Sequence, residues 1–139
     1  MKHFQESITV RPPGPGLHLI TAEVESVVRK SGIRTGMCHV FVRHTSASLL
    51  IQENADPSAR ADLERWFDRT VPENDPAYTH RAEGPDDMPG HLKAALTSTS
   101  ELIPVVEGRL GLGTWQGLYF FEHRRRAGGR SVIVTLWGE

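Results

Sequence analysis

The spacing of apolar residues changes period several times along this 139-residue chain, and that change restricts the fold more than any other feature. Phe4, Ile8 and Val10 fall at even positions, the two-residue period of a strand with one face on a core. Ile20, Val24, Val27 and Val28 fall instead at i, i+4, i+7 and i+8, one face of a helix. "GMCHVFVRH" (residues 36–44) returns to alternation, with Cys38, Val40 and Val42 on one side and Phe41 on the other. "SLLIQ" (residues 48–52) is a short continuous apolar run, the pattern of a strand covered on both faces. Strands and helices are mixed without βαβ regularity, which favours an α+β fold over a doubly wound sheet. The expected architecture is an α+β fold with about three helices in a single domain spanning residues 1–139.

Turn chemistry sets the boundaries. "RPPGPG" (residues 11–16) cannot continue a strand, because proline removes donors and glycine loosens the backbone. Thr21 suits a helix cap, Glu23 and Glu25 suit a first turn, and Gly32 suits the end. Asp56-Pro57 opens a second helix, an Asx cap followed by proline at the first helical position. Its inner face is expected to carry Leu63, Trp66, Phe67 and Thr70, and Pro72 stops it. A long polar segment follows over residues 73–90. A third helix is expected to start near residues 86–89 and to carry His91, Leu92, Ala95 and Leu96. The C-terminal third reads as β: "LIPVV", a turn at "EGR", then "TWQGLYFFEH" and "SVIVTLW", which are expected to pair as a hairpin around "RRRAGG".

Charge narrows the choice of partner. The net charge is −1, so no long-range field draws the chain to nucleic acid or to a membrane. Arg124, Arg125, Arg126 and Arg130 are the one local exception, and the tip of a hairpin would leave such a run solvated. No apolar stretch approaches the length that spans a bilayer, and "MKHFQESITV" lacks the apolar core of a signal peptide. The cytoplasm is the expected compartment. Cys38 is the single cysteine and lies in a strand pattern, so a buried, inert thiol is expected.

Three features carry chemistry. Among seven histidines, His44 ends a strand, His80 lies in the long polar segment, and His91 lies in the first turns of the third helix. Asp87 stands four residues before His91, so the two share a helix face, and Glu83 precedes them. Imidazoles and carboxylates that converge can bind a divalent metal or act as acid and base. The spacing matches no compact metal motif, so surface or capping roles for these histidines remain open. His39 and His123 read as a core or interface residue and a solvent-exposed residue, respectively. "GLGTWQG" (residues 111–117) lets the backbone approach a ligand, or makes a β-bulge. Thr45, Ser46 and Ser48 in "HTSAS" can bond a phosphate or only the local backbone. A triad of Ser46, His44 and Asp87 lacks a nucleophile elbow and is set aside.

"HTSASLLIQENADPSARADLERWFDRTVPEN", "EGPDDMPGHLKAAL" and "GRLGLGTWQGLYFFEHR" together resemble the YjbQ-like family, which is associated with a secondary thiamine-phosphate synthase activity. The resemblance covers almost the whole chain. It implies a compact α+β domain of packed sheets assembled as a homotrimer, with a metal or anion pocket near a subunit boundary. The family's motif histidines match His44, His80 and His91. Its acidic and amide positions match Glu83, Asp87, Asn54, Gln116 and Glu122. Joining a pyrimidine diphosphate to a thiazole phosphate releases pyrophosphate and needs a divalent ion and donors for the leaving charge.

The resulting expectation is a metal-dependent enzyme with weak thiamine-phosphate synthase activity acting on a small phosphorylated molecule. His44, His80 and His91 would hold the ion, zinc or magnesium/manganese. Asp87 or Glu83 would orient a ligand histidine or act as base, and Gln116 and Thr114 would position phosphate. Thr45, Ser46 and the Gly113-Thr114 backbone would supply further phosphate donors. A trimeric metal- or small-ligand-binding protein without turnover and a metal-assisted hydrolase are the alternatives.

Overall fold

A computed structural model describes residues 1–139. In chain order the elements are β1 (Lys2–Val10), β2 (Gly16–Leu19), α1 (Thr21–Ser31), β3 (Thr35–Val42), β4 (Ala47–Glu53), α2 (Pro57–Thr70), α3 (Asp87–Leu96), β5 (Ser100–Val106), β6 (Arg109–Leu110), β7 (Gln116–Glu122) and β8 (Arg130–Gly138). The strands form a five-stranded sheet in the order β1-β8-β3-β5-β6 and a three-stranded sheet in the order β2-β7-β4. Every strand pairing is antiparallel. The α+β class with three helices is therefore observed.

The core lies between the sheets. Cys38, Val40 and Val42 of β3 join Val132, Val134 and Leu136 of β8 and meet Leu49 of β4 with Leu118 and Phe120 of β7. The predicted helix face of Ile20, Val24, Val27 and Val28 closes this cluster. Burying each valine there contributes about 1.5–3 kcal/mol. Gly32 ends α1 with φ 70°, its N–H bonded to the Arg29 carbonyl, in the left-handed region that glycine enters without a Cβ penalty. Thr21 does not cap α1. The cap position is Ile20, and the Thr21 hydroxyl accepts the Leu118 N–H at 2.9 Å instead, tying the helix to β7. The Cys38 thiol is buried, and that burial, with the Glu25 charge, pushes its pKa up to about 12. It is the inert thiol expected.

The C-terminal hairpin is not formed. β7 and β8 lie in different sheets, and their patterns explain why. From Gly117 to Glu122 every residue of β7 is buried, so this strand is covered on both faces. One face meets the main core, and Tyr119 and Phe121 on the other meet Leu17 and Phe67 under α2. β8 alternates and belongs to a sheet with one open face. The segment between them, residues 123–129, crosses from one sheet to the other.

Two helix faces differ from expectation. On α2 only Phe67 is fully buried, with Leu63 partly so; Trp66 is 48% exposed and Thr70 lies outside. Asp56 does cap this helix, accepting from Ser58 N at 2.9 Å. On α3 the buried residues are Asp87, Pro89, Gly90 and Ala94, while Leu96 is exposed. α3 presses a small-residue surface and one carboxylate against the end of the three-stranded sheet. A Cβ on Gly90 would lie 3.4 Å from both Ser46 Cβ and His123 Cβ, so that spacing brings Asp87 and His91 close to the sheet. No helix is long and apolar enough to cross a membrane.

Candidate metal centre

The long polar segment before α3 is ordered by bonds between its own side chains and backbone. Tyr78 Oη donates to the Pro72 carbonyl at 2.9 Å. Arg81 donates from Nε to Tyr78 O at 2.5 Å and from Nη2 to Pro76 O at 2.9 Å. Ala77 N donates to Asp75 Oδ1 at 2.9 Å. This fold-back delivers His80 over the first turn of α3, where Asp87 and His91 stand one turn apart.

The side chains of His80, Glu83, Asp87 and His91 each place a ligand atom within 4.8 Å of the others. Both imidazoles converge on one carboxylate oxygen. His80 Nε2 lies 2.7 Å from Asp87 Oδ2 and His91 Nε2 lies 3.1 Å from the same atom. Glu83 Oε2 is 3.6 Å from His80 Nε2. The other Asp87 oxygen is held by Arg124, whose Nη1 donates to Oδ1 at 2.5 Å and whose Nη2 donates to the Glu83 carbonyl at 2.8 Å. Arg124 Nε stands 3.2 Å from Asp86 Oδ2, a charge contact without hydrogen-bond geometry. The Asp87 side chain is only 3% exposed. Burial would raise its pKa, but the His80 hydrogen bond and the neighbouring His91 and Arg124 outweigh burial and hold the carboxyl below its usual range.

The hydrogen-bond count at His91 leaves a place for one more proton or for a cation. Nδ1 stands 3.0 Å from the Thr45 carbonyl, which only accepts, so Nδ1 carries a proton. Nε2 then faces the Asp87 carboxylate, a second acceptor. A neutral imidazole has one N–H, so a further proton or a metal ion belongs between Nε2 and Oδ2. Metal-ligating histidines commonly donate their far nitrogen to a carbonyl, as His91 Nδ1 does to Thr45 O.

His44 is not part of this group. Its Nε2 accepts the Ser131 backbone N–H at 2.9 Å, and its Nδ1 faces Arg130 Nη1 at 3.5 Å. Burial and then the Arg130 charge hold His44 below the usual imidazole range, against the pull of Glu122. The expected ligand set therefore loses His44, because a backbone amide occupies the lone pair it would offer. Thr45 contributes its carbonyl, as the support of His91. Ser46 Oγ accepts from Arg130 Nη2 at 3.2 Å. Gln116, Gly113 and Thr114 lie at the opposite end of β7 from Glu122, roughly 20 Å along a seven-residue strand. Gly113 N donates to Gln116 Oε1 at 2.7 Å, so the loop satisfies itself. Asn54 is at that same far end, its N–H bonded to Trp115 O.

The arginine run is only half solvated: Arg125 and Arg126 are exposed as expected, whereas Arg124 and Arg130 turn inward. Arg130 is 13% exposed and grips Glu122, which is fully buried, through Nε to Oε1 at 2.8 Å and Nη2 to Oε2 at 2.6 Å. Glu122 Oε2 also accepts the N–H groups of His123 and Arg124, each at 3.1 Å. The signal was present in "FFEH": a carboxylate that continues a buried strand requires a cation, and Arg130 follows eight residues later. His123 was expected in solvent and is buried. Its Nε2 is 2.9 Å from Ser48 Oγ, which lies 2.5 Å from Thr97 Oγ1.

Burial first, then Lys93 and Arg130, push the His123 pKa down from 6.5 to about 3. Between those two values the unfolded chain binds a proton that the folded chain refuses, so stability falls as pH drops through that window. The expected slope from this one residue is up to about 1.4 kcal/mol per pH unit. Denaturant unfolding from pH 7 down to 4 should show a slope that flattens in His123→Gln. An identical slope in the variant would assign the acid sensitivity to the carboxylates.

A family model described as UPF0047 protein YjbQ-like matches residues 6–139. A UPF0047 protein of Synechocystis is 53% identical over 138 residues, covering 99% of this chain and 94% of that protein. YjbQ of Salmonella typhimurium is 49% identical over 139 residues, covering 98% of this chain and 99% of that one. Among solved structures, a YbjQ-like protein of unknown function from Sulfolobus solfataricus P2 has a TM-score of 0.90 at 28% identity, covering 99% of each chain. An uncharacterised protein of the YjbQ/UPF0047 family from Clostridium acetobutylicum has a TM-score of 0.83 at 35% identity, covering 96% of this chain and 99% of that one. Matched by the family model over residues 6–139, and by relatives covered over 94% or more of their own length, the chain belongs to the UPF0047 (YjbQ-like) family.

Proposed function

We propose that this protein is a metal-dependent enzyme acting on a small phosphorylated molecule, with His80, Asp87 and His91 as protein ligands and Glu83 at the rim. The observation that carries the reading is the pair of acceptors facing His91: the Thr45 carbonyl at 3.0 Å and Asp87 Oδ2 at 3.1 Å. Two imidazoles with one carboxylate suit zinc or manganese; magnesium prefers an all-oxygen shell. Three protein ligands leave a position open, the arrangement of catalytic rather than structural sites. A divalent ion held there would supply Lewis acidity towards a phosphoryl or diphosphate oxygen.

The chain's own residues do the rest. Arg124 fixes Asp87 Oδ1 and leaves only Oδ2 turned to the histidines. Glu83, 64% exposed and 3.6 Å from His80 Nε2, is placed to take or return a proton at the rim. The specific reaction we assign is the joining of a pyrimidine diphosphate to a thiazole phosphate, as a weak activity of a homotrimer; it is supported by the family resemblance and by the ligand chemistry.

The test is elemental analysis of purified protein together with a product assay on the two phosphorylated substrates. Metal near one per chain is expected, with thiamine phosphate formed, lost on chelation and restored by zinc or manganese. Absence of metal after reconstitution would overturn the metal reading. Stoichiometric metal with no product would retain the centre and reject this reaction.

A further inference from the structure

His44 presents the reverse of the puzzle at His91, and protonation cannot resolve it. Two donors face its ring: the Ser131 backbone N–H at 2.9 Å from Nε2, and Arg130 Nη1–H at 3.5 Å from Nδ1. A neutral imidazole has one lone pair and an imidazolium has none. The shorter contact takes the lone pair, so Nδ1 carries the proton and confronts the guanidinium donor to donor. A third donor stands beside them. Ser46 Oγ accepts from Arg130 Nη2 at 3.2 Å, and its own hydroxyl proton meets no acceptor.

From this convergence of donors we infer that His44, Arg130 and Ser46 form an oxyanion subsite, which takes one oxygen of a phosphate or carboxylate group. Glu122 is the opposing charge nearby, and it is already saturated: both its oxygens take Arg130, and Oε2 also takes the His123 and Arg124 amides. Arg130 Nη1 makes no other contact and is left for the ligand. Ser46 is buried while His44 and Arg130 are part-exposed, so the three donors run from the core towards solvent. Its place in the fold gives it a purpose. Thr45, between His44 and Ser46, holds His91 through its carbonyl, so the anion subsite and the candidate metal centre share one three-residue stretch. A substrate with its reacting phosphoryl group at the metal would rest a second anionic group here. Assigning the anion to the substrate rests on the proposed function; binding an anion does not.

The test is nitrogen-15 NMR of the imidazoles in chelator-treated wild-type protein, titrated with inorganic phosphate and, separately, with acetate. The His44 resonances and the Ser131 amide should shift saturably with phosphate, while His3 stays still. His44→Ala should weaken phosphate binding about tenfold, the worth of one hydrogen bond to a charged ligand, with metal content unchanged. Should that variant fail to fold, the wild-type titration decides alone. Saturation by phosphate but not acetate would assign a phosphate group, and equal saturation by both a general oxyanion. His44 resonances unmoved by either anion would overturn the subsite, whatever the metal analysis shows. A His44 response in protein that never takes up metal would leave the subsite standing and remove the metal centre.

Discussion

Asp87→Asn is expected to abolish metal binding while leaving the protein folded. Asparagine keeps the shape of aspartate, and its oxygen can still accept from Arg124 Nη1, now at 2.5 Å from Oδ1. Its amide nitrogen would take the place of Oδ2 and donate to the ring nitrogens of His80 and His91, at 2.7 and 3.1 Å. The variant would thus satisfy by hydrogen bonds what, in the proposed function, a cation satisfies in the wild type. Metal affinity should fall by more than about 100-fold, since even supporting partners of a ligand cost 10–100-fold. Activity should fall with it. Titration with a competing chelator, beside a thermal melt, checks both halves. A variant that retained stoichiometric metal would show that Asp87 is a structural partner of Arg124 and nothing more. A variant that unfolded would show that the Asp87 charge, and not a metal, holds α3 in place.

Glu122→Ala is expected to give the largest loss of stability. It removes a fully buried carboxylate and strands Arg130, 13% exposed, together with the amides of His123 and Arg124. Breaking one side of a buried pair costs about 3–5 kcal/mol. For a domain of this size that corresponds to a fall in Tm of roughly 10 °C or more. The double variant Glu122→Met, Arg130→Met should recover part of the loss, because it leaves no orphan charge. Calorimetry of the single and double variants decides. A single-variant loss under about 1 kcal/mol would place this pair with ordinary surface salt bridges.

Both effects arise at the join between the two sheets, and the sequence exposed only one side of it. Asp87 and His91 were legible as neighbours because four residues make one helical turn. His80 and Glu83 were legible only as residue types in a polar segment, since no periodicity says where a loop folds back. His44 was grouped with them on motif grounds. Local hydrogen bonding parts them: the Ser131 amide, 87 positions away, takes the nitrogen a metal would need. Arg124, Arg130 and His123 were read as solvated because a charge run beside a glycine pair resembles a hairpin tip. The better signal was the contrast between the continuous burial of β7 and the alternation of β8, which sends them to different sheets and turns their connection inward.

The sequence by itself determined what period and turn chemistry govern. These are the α1 face, the Gly32 stop, the Asp56 cap, the inert Cys38, the α+β class, and the Asp87–His91 pair on one helix face. Each depends on residues within a few positions of one another. Tertiary structure decided the rest: which strands pair, where the long loop lays His80, which nitrogen of each histidine is free, and which arginine meets which carboxylate. Those outcomes depend on contacts between residues up to 136 positions apart. A hydrogen bond or ion pair at such separation is set by how whole layers pack, and local spacing carries no record of it.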